Sequence, residues 1–271
     1  MSPPSGDAPA GIPEPSRRTS CSVDTALAEL LAEAIDPEAA LPPGIVTACR
    51  PVVAGLLSLL DDPDLAIEAG TPRHAWIELD LVRPVPLDVP LEVTAALTRR
   101  AAIGRGTGLW ITVDVDGPGG GLVRSRHVVA ARRGVPPGPQ APLPRPSDLP
   151  MADGPESDTE LGIDAARVDA YRIGAADISP VHRDEAAIAP GLMLLLAAVA
   201  ASGGLPGPPP WRAGARFVRP LSVGQPARVR SRSGAGSRRA LRIESGDRAV
   251  VRHGHVGPAP PGGHHSDGVR Q

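Results

Sequence analysis

The sequence predicts an α+β protein made of two copies of one unit, each an antiparallel sheet around a single apolar helix. Three observations carry this. Segments of alternating polarity, joined by short turns, recur in both halves of the 271-residue chain. Each half holds a Pro-Gly step leading into an apolar run, at Pro43-Gly44 and at Pro190-Gly191. The halves also align in two places. VRPVPLDVPLEV (Val82 to Val93) matches VRPLSVGQPARV (Val218 to Val229) at an offset of 136, and EAALPPG (Glu38 to Gly44) matches EAAIAPG (Glu185 to Gly191) at an offset of 147. Their shared order, ahead of matching strand sets, marks an internal duplication.

Taken in order, residues 1–20 are rich in Pro, Ser and Gly and read as a disordered tail. The first unit spans 21–134. It opens with a helix over Val23 to Ile35, where Leu27, Leu30, Leu31 and Ile35 share a face, Asp24 is the N-cap and Pro37 ends the run. A second helix begins near Gly44 and runs to Leu60, kinked or split at Pro51. After a loop at Asp61 to Pro72, strands are expected at Ala75 to Leu81, Leu91 to Leu97, Leu109 to Asp116 and Leu122 to Ala131, the last two joined by the turn GPGGG. Residues 135–160 form a Pro-rich linker. The second unit, 161–256, reads as a strand around Val168 to Ile173, the helix Gly191 to Ser202, and strands at Ala213 to Val218, Ala227 to Ser233, Arg239 to Glu244 and Ala249 to Val256. Residues 257–271 form a second disordered tail.

Composition excludes several classes. The formal charge of −2 argues against a basic nucleic-acid binder, and 2% aromatics leave little for base stacking. Every basic side chain other than histidine is Arg, so no single Arg carries weight. Cys21 and Cys49 read as reduced thiols of a cytoplasmic protein. The longest apolar run, Gly191 to Ala201, is too short for a membrane span and belongs to a buried helix. The GPGGG turn lacks the Lys-Ser/Thr of a phosphate loop. His253 and His255 alternate on one strand and share a face, with His264 and His265 beyond, but no acidic or thiol partner accompanies them and a metal site is not expected. Arg83, Arg219, Arg238 and Arg239 could meet phosphates, although solvated Arg on a sheet is the ordinary reading of each.

The compact set of reactive residue types is Asp177, Ser179 and His182, just ahead of the second Pro-Gly step. No G-x-S-x-G elbow exists and all three are local, which argues against a hydrolase triad. An Asp and a His five residues apart across a Pro-containing turn could converge on one water, and a carboxylate beside the imidazole would raise its pKa and fix its tautomer. The backbone N–H of Gly191, at a helix N-terminus, suits an oxyanion, whereas Pro190 has no N–H to offer. Ser179 reads equally well as an N-cap for the segment that follows. At the offset of 147, Asp177 and His182 fall on Leu30 and Ile35, so the first half lacks the polar pair.

Tyr171, Asp177, Pro180 and His182, followed by Asp184, Ala187 and Gly191-Leu192, resemble the motif of the MaoC-like (R)-specific enoyl-thioester hydratases and dehydratases of the hotdog superfamily. Ala175 and Ala176 stand where that motif has Ser/Thr-Gly, Ser179 where it has Asn, and Pro190 where it has a His before Gly. The resemblance covers Tyr171 to Val256 and reaches Leu27 to Ala131 through the repeat. It implies a double hotdog in which the two sheets join, with an acyl tunnel between a degenerate first half and a catalytic second half. It further implies reversible hydration of 2-enoyl thioesters by Asp177 and His182, with Gly191 and Ser179 around the substrate and no cofactor or metal. Partners would be acyl-CoA or an acyl-carrier-protein thioester, and a homodimer or a heterodimer with a related protein. Two other functions fit the same fold: a thioesterase, and a non-catalytic acyl-thioester-binding subunit.

Overall fold

The computed structural model describes residues 15–38, 40–65, 72–104, 106–131, 140–144, 154–183, 187–205 and 207–259. Most of both expected tails, most of the linker, Asp184 to Ala186, His264 and His265 lie outside the described residues.

The first half runs β1 (Ser16–Cys21), α1 (Thr25–Ile35), α2 (Pro43–Val46), α3 (Cys49–Leu60), β2 (Arg73–Leu81), β3 (Leu91–Ile103), β4 (Gly106–Gly117) and β5 (Gly120–Ala131). The second half repeats it as β6 (Glu156–Leu161), α4 (Ala165–Ala175), α5 (Gly191–Ala201), β7 (Trp211–Phe217), β8 (Ala227–Ser233), β9 (Arg239–Ser245) and β10 (Arg248–Pro258). Among the described residues the ten strands form one sheet in the order β1-β3-β4-β5-β2-β7-β10-β9-β8-β6, each neighbouring pair antiparallel. The order is palindromic, so this is the expected double hotdog with its sheets fused at β2 and β7.

The register at that seam bears out the offset of 136: Glu78 lies opposite Gly214, its own counterpart, while Trp76–Arg216 and Asp80–Arg212 exchange under the same offset. A pseudo-twofold axis therefore passes between Glu78 and Gly214. Alternation explains the strands: Ile77, Leu79 and Leu81 of β2 are buried against the helices, as are Val113 and Val115 of β4. The two-residue step Pro118-Gly119 closes the β4–β5 hairpin, with Gly119 at φ 84° and Gly120 at φ 97°.

The helices pack on one face of this sheet. Asp24 caps α1 as expected, accepting from the Leu27 N–H at 2.8 Å. The break in the next helix falls at Thr47-Ala48, and Pro51 sits in the first turn of α3, where its missing N–H costs nothing. α3 packs so closely on β3 and β4 that a Cβ on Gly55 would lie 2.6 Å from Val113 and 2.8 Å from Val93. α5 is buried from Leu192 to Ala200. The helices α1 and α4 pack on each other across the pseudo-axis, and each half stabilises the other's C-terminus. Arg167 donates to the carbonyls of Ala34 (2.8 Å) and Ile35 (3.0 Å), and Arg50 donates to that of Gly174 (3.2 Å).

Four sequence expectations are corrected. The strand expected around Val168 to Ile173 is the helix α4, capped by Asp164, whose side chain accepts from the Arg167 N–H at 2.8 Å. The expected tail and linker each give up a strand, β1 and β6, to the outer edges of the sheet. The third concerns the repeat. Caps Asp24 and Asp164, and strand starts Ser16 and Glu156, correspond at an offset of 140, whereas Gly44 and Gly191 correspond at 147. Leu31 is thus the counterpart of Tyr171, and both are buried. Leu30 and Ile35 lie within α1 and do not stand in for Asp177 and His182. The second half instead carries seven additional residues, the length of Asp177 to Arg183. Fourth, His253 and His255 do not share surroundings: His253 is exposed and His255 is buried.

No helix among the described residues is long and apolar enough to cross a membrane. Cys21 and Cys49 are free thiols. Arg239 binds the Ser202 and Gly204 carbonyls at the end of α5, and Arg83 donates to the Gly120 carbonyl at 2.6 Å, so both hold turns in place.

Candidate active site

A cavity of about 1560 Å³ lies between the halves. The first half contributes Leu56, Leu57 and Leu60 of α3 and Arg73 and His74 of β2. The second half contributes Tyr171, Asp177, Ser179, His182, Gly191 and Arg219. All four sequence-selected residues, Asp177, His182, Ser179 and Gly191, therefore border one space.

The turn that carries Asp177 begins where α4 stops. Ala176 is the C-cap, in the left-handed region at φ 56°, ψ 38°, and its N–H closes onto the Arg172 and Ile173 carbonyls. The Gly of the family motif falls at this position, and the conformation gives the reason: a residue with a Cβ is strained there. Asp177 follows with its carboxylate turned back, Oδ1 accepting from the Ser179 N–H at 3.0 Å. Pro180 to His182 then form a single 3₁₀ turn. Ser179 precedes this turn, but its side chain makes no capping hydrogen bond.

His182 Nδ1 lies 2.7 Å from the Ile188 carbonyl oxygen. A carbonyl only accepts, so Nδ1 carries the proton and Nε2 of the neutral ring presents a lone pair. That lone pair faces Asp177: Nε2 to Oδ2 is 3.7 Å, beyond a direct hydrogen bond. The Ile188 carbonyl, and not the carboxylate, thus fixes the tautomer. The expected rise in pKa is also reversed. Burial lowers the His182 pKa below its ordinary value, outweighing the upward pull of Asp177 and of the Ile188 carbonyl, while Arg73 and Arg172 push it further down. Tyr171, fully buried beneath the turn with its hydroxyl paired to the Cys49 thiol, has its pKa driven well up by burial.

Gly191 opens α5, and among the described residues no side chain caps this end, where Pro190 holds the cap position. The absence of a side chain at 191 has a specific use. A Cβ there would lie 2.9 Å from Nδ1 and 3.0 Å from Cβ of His74. His74 was not among the sequence-selected residues. Strict alternation along Ala75 to Leu81 puts it on the outer face, but a bulge between His74 and Trp76 moves it to the inner face opposite Val129. Among the described residues no cluster of three or more His, Cys, Asp or Glu could hold a metal ion.

The sequence matches no protein-family model and no curated protein sequence. Solved structures do match the fold. HtdX of Mycobacterium tuberculosis is similar at a TM-score of 0.68 and 17% identity, over 90% of this chain and 100% of that one. A MaoC-like dehydratase from Phytophthora capsici is similar at a TM-score of 0.67 and 15% identity, over 92% and 96%. A further Mycobacterium tuberculosis protein, described as a double hotdog, is similar at a TM-score of 0.60 and 13% identity, over 90% and 95%. In class, the chain is a double hotdog protein. Its likeness to MaoC-like dehydratases is one of fold.

Proposed function

We propose that this protein hydrates 2-enoyl thioesters, or dehydrates (3R)-3-hydroxyacyl thioesters, in the manner of MaoC-like enzymes. The observation that carries the reading is the facing pair Asp177 Oδ2 and His182 Nε2, 3.7 Å apart in the cavity onto which the N-terminus of α5 opens. That spacing suits one water held by both groups. The shared fold with MaoC-like dehydratases supports it.

Asp177 accepts from one O–H of the water and His182 Nε2 takes the proton of the other as the oxygen attacks the β-carbon. The carbon–carbon π electrons move towards the thioester carbonyl, whose developing charge meets the Gly191 N–H and the positive end of the α5 dipole. The proton held by His182 is then delivered to the α-carbon, and the pair returns to its starting state. Water is added as OH at the β-carbon and H at the α-carbon, so no cofactor enters the balance. Arg73 and Arg219 border the same cavity and suit the phosphates of coenzyme A or of a carrier protein's phosphopantetheine. In this reading the second half is the MaoC-like unit and the first half completes the acyl tunnel. The reaction belongs to acyl-thioester metabolism in the cytoplasm.

The test is purified protein with crotonyl-CoA and longer 2-enoyl-CoA substrates. Loss of the enoyl absorbance, abolished by His182→Ala, is the expected result. Release of free thiol would indicate a thioesterase, and acyl-CoA binding without turnover would indicate a binding subunit; either overturns the proposal.

A further inference from the structure

Among the described residues, the buried Nε2 of His74 has no hydrogen-bond partner. An unpaired polar atom of this kind is destabilising, and an apolar side chain would fill the same space without that cost. The ring is nevertheless held firmly. One side lies against Gly191. Another packs on His127, with centroids 5.3 Å apart and planes tilted by 40°. His127 is itself fixed by Ser125, with Nε2 to Oγ at 2.9 Å.

The orphaned nitrogen also decides the tautomer. A buried N–H without an acceptor is less tolerable than a buried lone pair without a donor. The proton therefore belongs on Nδ1, the nitrogen that faces Gly191. Burial, reinforced by the proximity of His182, lowers the His74 pKa to about 4, so the ring stays neutral near pH 7. A neutral imidazole donates a hydrogen bond without surrendering a proton.

We propose that His74 is a carbonyl-binding residue: its Nδ1–H and the Gly191 N–H together hold the thioester oxygen. The inference rests on the proposed hydratase reading and adds a substrate-contacting group from the half that lacks the Asp-His turn. It also bears on Pro190, which stands where the family motif has a His before Gly: an imidazole returns beside Gly191 from a different strand. The thioester is then gripped by donors from both halves, while the water is held by the second half alone.

The experiment compares His74→Leu with His74→Asn, whose amide nitrogen can take the place of Nδ1. Because Leu removes the orphaned polar atom, His74→Leu should fold with unchanged or higher resistance to urea. With enoyl-CoA, His74→Leu should lose about 10²-fold in kcat, the scale of losing one oxyanion donor, with a smaller change in KM. His74→Asn should recover most of that loss. A second readout needs no turnover: binding of a saturated acyl-CoA against its S-alkyl-CoA thioether, which lacks the carbonyl. Wild type and Asp177→Asn should prefer the thioester, and His74→Leu should lose the preference. If wild type hydrates substrate and His74→Leu hydrates it equally well, the role of His74 is overturned and the hydratase reading stands. If wild type hydrates nothing, the hydratase reading falls and the thioester-to-thioether gap alone decides His74: a gap kept in His74→Leu overturns its role, and a gap lost supports it.

Discussion

The two halves differ most between their first helix and their Pro-Gly step. In the first half the chain leaves α1 at Asp36, at φ −145°, and the buried Asp36 carboxylate accepts from the Leu41 N–H, pulling the turn shut. In the second half the chain leaves α4 through the left-handed Ala176 and spends seven more residues on a turn that points Asp177 and His182 into the cavity. Both turns hold a carboxylate bound to a backbone N–H two to five residues on. Only the longer one also sets an imidazole beside it. The same local device closes a loop in one copy and aims an acid-base pair in the other.

The largest expected break between the copies is in activity. His182→Ala should lower kcat by roughly 10²–10⁴-fold, the range for removing a general base. Asp36→Ala should leave kcat unchanged and reduce stability to urea by about 1–3 kcal/mol, because the Leu41 N–H loses its acceptor. Equal activity losses in both variants would refute the asymmetry.

The two glycines sharpen the comparison. A Cβ on Gly44 would lie 2.5 Å from the Pro84 ring, and one on Gly191 would lie 2.9 Å from the His74 ring. Alanine at either position should destabilise the fold by about 1–3 kcal/mol as overpacking. Only Gly191→Ala should also depress kcat, because only there does the displaced group border the cavity with Asp177 and His182.

A third expectation concerns pH. The lowered His182 pKa keeps Nε2 unprotonated as the solution is acidified, so the acid limb of kcat/KM should fall below pH 6.5, the ordinary histidine value. An acid limb above 6.5 would mean that Asp177 outweighs burial. The smallest effect is at the helix end: Ala176→Gly should raise stability by about 1 kcal/mol by relieving the left-handed conformation, whereas Asp36→Gly should give no such gain.

Much of this architecture was legible because alternation and turn chemistry write themselves into sequence. The strands of the interior of the sheet, the Asp24 cap and the α5 helix all follow from periodicity and local hydrogen bonding. The edge strands do not. β1 (SRRTSC) and β6 (ESDTEL) are exposed along most of their length, so they carry no buried alternation. α4 is masked in the sequence because Val168, Tyr171 and Ile173 are strand-favouring types, although the Asp164 cap, repeating Asp24, marks a helix start. At the site, the Asp177–His182 turn was visible because its residues are neighbours in sequence. His74 was not, because it arrives from another strand through a bulge that inverts its face. The tautomer of His182 was equally hidden, since it depends on the Ile188 carbonyl.

The seam at Glu78 and Gly214 has one more consequence. Two identical subunits meeting on such an axis must present the same residues from both sides, and they separate on dilution. Covalent linkage removes both constraints. The pairing of β2 with β7 is intramolecular and holds at any protein concentration, and a change in one copy is not mirrored in the other. A histidine could therefore settle at position 74 while its counterpart became Pro210. The price of symmetry, one sequence serving two places, is what this chain no longer bears.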